Sequence, residues 1–119
     1  MPEGNDPLIA AKEMLSISPY LVLDAPAQVL VSIADLPEAK GALLFNSSAS
    51  DVSLRDTDCR RNLLHSLPSD AMRTDALAQV FVQKRWRDLV MISGNFSQDI
   101  SYATSMRRSL KKFGLKLSD

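Results

Sequence analysis

One stretch decides the fold: Ala42-Leu43-Leu44-Phe45-Asn46-Ser47-Ser48-Ala49-Ser50, in which a short apolar run passes directly into a loop of small polar residues. The same change recurs downstream, where 62–65 ends at a break around Pro68 and 88–92 ends at Ser93-Gly94. A helical segment of roughly 15 residues separates these two runs, and strands that alternate with such helices indicate βαβ units. The sequence therefore predicts an α/β fold built on a doubly wound parallel sheet.

The residues before this stretch continue the alternation of helices and strands. Asp6 followed by Pro7 is typical of a helix start, and the helix should stop at Ser18-Pro19. The near-continuous apolar run 20–23 predicts a strand that is buried on both faces. Asp24-Ala25-Pro26 then begins a second helix, and Lys40-Gly41 turns the chain into the strand at 42–46.

The residues after the stretch begin with a polar connection, 47–61, that shows no period. Ser69 is a predicted N-cap for a helix that reaches Trp86, and Ser97 is the predicted cap of a last helix that ends at Gly114. We expect one parallel sheet with helices on both faces, built from 20–23, 42–46, 62–65, 88–92 and 115–117.

Composition narrows the function classes. The chain has 119 residues, 45% of them hydrophobic and 24% charged, as expected for one globular domain over 1–119. Fourteen basic and fourteen acidic residues cancel, so no overall charge favours nucleic acid or an anionic membrane. The basic run 106–112 is the local exception, and we interpret it as the solvated face and last turn of a helix.

Catalytic and metal-binding patterns are missing from the sequence. Cys59 stands alone, so it cannot form an internal disulfide and is expected to be a small buried residue or a loop thiol. Cys59 and His65 lack the spacing of a metal site, and no nucleophile elbow, P-loop or dinucleotide fingerprint occurs. A response-regulator receiver domain would need a lysine after Ile92-Ser93, but no lysine follows there, so we reject this alternative. We therefore predict a protein that is not an enzyme and uses no cofactor or metal.

The ends of the predicted strands supply the candidate binding site. In parallel sheets ligands bind at the carboxyl ends of the strands, where small hydroxyl side chains and backbone amides can hold a polar group. An alternative is that the serines only satisfy loop backbone groups and that the histidine is an ordinary strand-end residue. The candidate ligand-binding residues are Asp24, Ala25, Asn46, Ser47, Ser48, Ala49, Ser50 and His65.

A loosely spaced set of residues resembles a known family. It comprises Phe45-Asn46, Ala49-Ser50-Asp51, Leu54-Arg55, Cys59-Arg60, 63–66, Pro68-Ser69, Met72, 75–79, Lys84-Arg85-Trp86 and 112–116. The pattern resembles the type I periplasmic-binding-fold proteins, and within them the substrate-binding proteins of ABC transporters associated with pyrroloquinoline-quinone (PQQ)-dependent alcohol dehydrogenase systems. The resemblance implies capture of a small solute between two lobes, docking on a membrane permease, and a ligand-binding role for Ala49-Ser50.

The resemblance also creates an expectation about chain extent. The family is periplasmic and longer, whereas 1–6 shows no charged and apolar pattern of an export signal. We expect the chain to be part of the first lobe, without its opening strand, and therefore prone to self-association through exposed apolar surface. Two other readings stay open at this point: a stand-alone α/β regulatory or interaction module, and a truncated enzyme using Asp24 and His65.

Overall fold

The computed structural model describes residues 6–118. The described chain alternates helices and parallel strands, and it divides into two compact units at the bond between Leu67 and Pro68. Two short 3-10 turns, Pro37–Ala39 and Val52–Arg55, interrupt the connections of the first unit. The main elements are α1 Pro7–Ile17, β1 Tyr20–Leu23, α2 Ala27–Ala34, β2 Leu43–Asn46, β3 Leu63–His65, α3 Asp70–Lys84, β4 Asp88–Val90, α4 Ser97–Lys112 and β5 Lys116–Ser118.

The first unit is a three-stranded parallel sheet in the order β1-β2-β3. Its inner face carries Leu23, Leu44 and Leu63, which form one core with apolar residues of α1 and α2. Leu30 and Ile33 of α2 are completely buried there. The short apolar strands predicted from the sequence are thus buried by two helices on one face.

The other face of this sheet is open. Alternate residues project to it, and Tyr20 and Val22 of β1 are 64% and 75% exposed. Leu43 of β2 is also exposed and is the register partner of Tyr20, and Leu64 of β3 is exposed opposite Phe45 of β2. We call these four exposed residues the outer face. The expected cover of helices on both faces is therefore wrong for the first unit, and the expected exposed apolar surface is present.

The second unit pairs β4 with β5 in parallel and packs α3 against α4. Ala78 of α3 and Met106 and Leu110 of α4 form its buried core. The helix ends follow local rules: the Ser69 hydroxyl accepts the Met72 N–H at 3.3 Å, and Gly114 takes a φ of +71° after α4. These two predicted caps are confirmed.

The predicted fold class is confirmed, but the strands pair differently from the prediction. The described strands form two sheets, because β4 and β5 pair with each other and not with β3. An apolar run predicts that a segment is a strand, whereas its partner depends on contacts distant in sequence. The single domain and single partial lobe over 1–119 stay predictions.

The start of α4 differs from the prediction. Ser97 is the first residue of α4 and not its cap, because the Asp99 carboxylate accepts the Phe96 N–H at 3.2 Å and so closes the helix start.

Within 6–118, no helix combines the length and the apolar character that crossing a bilayer requires.

Candidate functional site

The candidate residues gather at the carboxyl edge of the first sheet. Leu23, Asn46 and His65 are neighbours in register at the ends of β1, β2 and β3. The Ser47 N–H donates to the Leu23 carbonyl and the Ser66 N–H donates to the Asn46 carbonyl, both at 3.1 Å. We call this edge the strand-end rim; it comprises Asp24, Ala25, Asn46, Ser47, Ser48, Ala49, Ser50 and His65.

Asn46 holds the rim together. Its side chain is completely buried, and its Oδ1 accepts the N–H groups of Ser48 and Ala49 at 3.1 and 2.9 Å. Its Nδ2 donates to the Ala49 carbonyl at 2.6 Å and contacts Nδ1 of His65 at 3.0 Å. These four bonds use the full capacity of a primary amide, so Asn46 positions the loop and has no bond left for a solute.

The Asn46 contacts also determine the state of His65. Because Nδ2 of Asn46 is a donor, Nδ1 of His65 accepts, and the neutral ring carries its proton on Nε2. Burial lowers the pKa of His65 below its usual 6.5, and the nearby Arg55 charge lowers it further. His65 is therefore a neutral member of the rim.

The other rim residues differ in what they offer to a solute. Asp24, Ser47 and Ser48 are exposed, and Ser50 is partly exposed. The Ser47 hydroxyl donates to the Leu23 carbonyl at 3.0 Å and keeps its acceptor capacity. Ala25 and Ala49 are buried and contribute shape and backbone groups. The exposed polar set can donate hydrogen bonds from hydroxyls and accept them at a carboxylate.

Arg55 is a rim neighbour that the pattern of candidate residues missed. Its Nη2 donates to the Leu67 carbonyl, while Nη1 is buried and has no hydrogen-bond partner within 6–118. Leu54 beside it is completely buried. The available signal was the pair of apolar residues Val52 and Leu54 in a connection rich in Ser, Asp and Arg, because such residues indicate that the connection folds back onto the core.

Gly94 and Cys59 are not members of the rim. Gly94, which follows the predicted strand 88–92, belongs to the second unit, where the Asp99 carboxylate occupies the space that a Cβ would take. The Cys59 thiol is exposed, so the loop-thiol alternative is correct. Residues 6–118 contain no group of three His, Cys, Asp or Glu side chains suited to a metal ion.

Two comparisons by sequence give no match. No protein-family model matches the chain, and no curated protein matches it. The assignment of a fold therefore depends on comparison with solved structures.

Several solved structures share the fold over nearly all of the chain. An ABC transporter substrate-binding protein from Desulfitobacterium hafniense aligns over 94% of this chain with a TM-score of 0.77 and 14% identity. A structure of such a protein from the same organism in complex with Leu gives a TM-score of 0.76 over 95% of the chain, again at 14% identity. A periplasmic binding protein from Burkholderia mallei gives 0.72 over 93%, also at 14% identity.

The alignment covers only part of each solved structure. This chain spans 34% of the chain in each of the two Desulfitobacterium hafniense structures and 30% of the Burkholderia mallei protein. At this level of identity the likeness concerns the fold alone. The chain has the fold of about one third of an ABC transporter substrate-binding protein of the periplasmic-binding type.

Proposed function

We propose that the chain is part of a solute-capturing protein, the substrate-binding component of an ABC transporter, and that the strand-end rim contacts the solute. The observation that carries this proposal is that the chain combines the fold of substrate-binding proteins with exposed polar residues at the ends of its parallel strands. A chain with the fold of substrate-binding proteins over 94% of its length also presents exposed Asp24 and Ser48 where parallel strands end. The proposed role requires binding and no catalytic step.

The rim suits a small solute with ionised or hydroxyl groups. The hydroxyls of Ser48 and Ser50 can donate to an oxygen of the solute. The Ser47 hydroxyl, which already donates to the Leu23 carbonyl, and the carboxylate of Asp24 can accept from an ammonium or hydroxyl group. Asn46 acts from beneath by holding 47–49 in one conformation. A loop fixed in advance loses little conformational entropy when it binds.

We further propose that binding is completed by a second lobe. In this mechanism the solute favours a closed arrangement of two lobes, and the closed form docks on a membrane permease. The site of action is then the periplasm. The association with PQQ-dependent alcohol oxidation is a narrower prediction that depends on the sequence resemblance. The neighbour in complex with Leu makes an amino acid a sensible first solute to test.

The experiment is calorimetric titration of the complete polypeptide with a panel of small solutes that includes L-leucine. We expect one solute class to bind and Ser50→Phe to weaken that binding at least tenfold, because the bulky ring fills the rim while little core is disturbed. Ser32→Phe is the matched control, since Ser32 is an exposed serine on α2. Unchanged affinity in Ser50→Phe would remove the rim from the solute site.

A further inference from the structure

The zero net charge of the chain conceals two opposite halves. Residues 1–67 contain nine acidic and five basic side chains, whereas 68–119 contain five acidic and nine basic ones. The boundary between the compact units thus separates a net charge of −4 from one of +4. A separation of this size creates a local field that the overall composition does not reveal.

Much of the positive charge lies at one edge of the second unit. Both α3 and α4 lead into strands of the same parallel pair, so the ends of these helices meet at the amino edge of β4 and β5. We call the cations and the indole found there the basic edge. Its members, all exposed, are Lys84, Arg85, Trp86, Arg87, Lys111 and Lys116.

The chain conformation keeps these side chains outward. Arg85 adopts a left-handed φ of +59° directly after α3, which makes a tight turn. The backbone N–H of Trp86 donates to the Phe81 carbonyl at 3.0 Å, and the centroids of the two rings lie 6.2 Å apart. Trp86 nevertheless stays 56% exposed. Its indole is therefore supported on one side and open to solvent on the other.

The cations of the basic edge are available for a partner. None of its lysines and arginines lies within 4.0 Å of a carboxylate oxygen in 6–118. Lys112 is different, because it pairs with Asp75 at 2.7 Å. Asp88 is an acidic residue at the same edge, where it is the register partner of Lys116. The edge therefore keeps an excess of four positive charges.

We propose that the basic edge binds a surface of anionic lipid headgroups. Indole rings prefer the headgroup level of a bilayer, because one part of the ring is apolar and its N–H is polar. Lysine and arginine near an anionic membrane each add a favourable electrostatic contribution. An exposed tryptophan between arginines meets both requirements at once. This inference goes beyond solute capture and does not depend on it.

The test uses the fluorescence of Trp86, the one tryptophan of the chain. Titration with phosphatidylglycerol vesicles should shift its emission to the blue, phosphatidylcholine vesicles should not, and high salt should reverse the shift. Each cation removed should weaken partitioning about fivefold, so Lys84→Gln, Arg87→Gln and Lys111→Gln together should weaken it on the order of 100-fold. The matched control is Lys12→Gln, Lys40→Gln and Arg61→Gln in the first unit, which changes net charge equally and should have little effect.

Three results would overturn the proposal. The first is the absence of any emission shift with anionic vesicles at low salt. The second is an equal loss of partitioning in the test and control variants, because it would mean that only net charge matters. The third is absence of lipid binding together with a low-salt dimer, seen by sedimentation without vesicles, that the test variant alone abolishes. That result would assign the basic edge to an interface between copies of the chain.

Discussion

Replacing Asn46 tests how far one buried amide determines the rim. Asn46→Ala removes four hydrogen bonds at a completely buried position. Ser48 is exposed, so water can replace its lost partner, and the ring of His65 is only partly buried. Ala49 is 8% exposed, and both its N–H and its carbonyl lose their partner. The loss of these two backbone hydrogen bonds determines how far Asn46→Ala lowers the free energy of unfolding.

A buried backbone group without a partner costs about 1–3 kcal/mol. Two such groups, partly relieved by local movement, give an expected loss of about 3 kcal/mol in the free energy of unfolding of the first unit. The measurement is urea unfolding followed by circular dichroism, with Asn95→Ala at an exposed position as the matched control. The control should change stability by less than about 0.5 kcal/mol.

The isosteric variant Asn46→Asp adds a sharper condition. It keeps the acceptor for the Ser48 and Ala49 N–H groups but places carboxylate oxygens against the Ala49 carbonyl and Nδ1 of His65. We expect the variant to raise the pKa of His65 and to regain stability at acidic pH, when the ring becomes a donor. Two results would show that the amide does not organise the rim. One is a free energy of unfolding of Asn46→Ala within about 1 kcal/mol of that of the parent chain. The other is an Asn46→Asp variant that does not regain stability at acidic pH.

Three other expectations concern both units. The pKa of His65 lies below 6.5 in the folded chain, so its contribution to stability is complete above pH 6.5 and is lost as pH falls through the folded pKa; His65→Gln should remove this dependence in unfolding curves recorded between pH 7 and 4. Asp75→Ala should destabilise the second unit by about 1 kcal/mol relative to Asp88→Ala, because the buried Ser109 hydroxyl loses its acceptor at 2.6 Å; equal denaturation midpoints would contradict this. Val22→Lys on the outer face should reduce self-association in sedimentation velocity, and unchanged sedimentation would exclude that face.

The sequence predicts local structure well where the rules are local. The caps at Asp6 and Ser69 and the glycine after α4 follow from side-chain chemistry within a few residues, and all three are present. Ser97 shows the limit of the rule, because a serine near a helix start is only one of several ways to satisfy the first N–H groups.

Non-local structure could not be predicted in the same way. Nothing in 62–65 or 88–92 indicates which strands pair, so the division into two sheets was not foreseen. The positions of the rim residues follow from parallel topology, whereas the Asn46–His65 contact joins residues 19 apart and needs the register of β2 and β3. The charged residues of the two halves can be counted from the sequence, whereas the boundary between the two compact units is known only from the structure.

The central claim, that the strand-end rim receives the solute, is tested most directly by hydrogen–deuterium exchange. The complete polypeptide would be compared with and without a solute identified by calorimetry. We predict slower exchange in 24–25 and 47–50, because a bound solute covers these backbone amides and suppresses local opening. Protection confined to the second unit, with exchange at 47–50 unchanged, would contradict the claim.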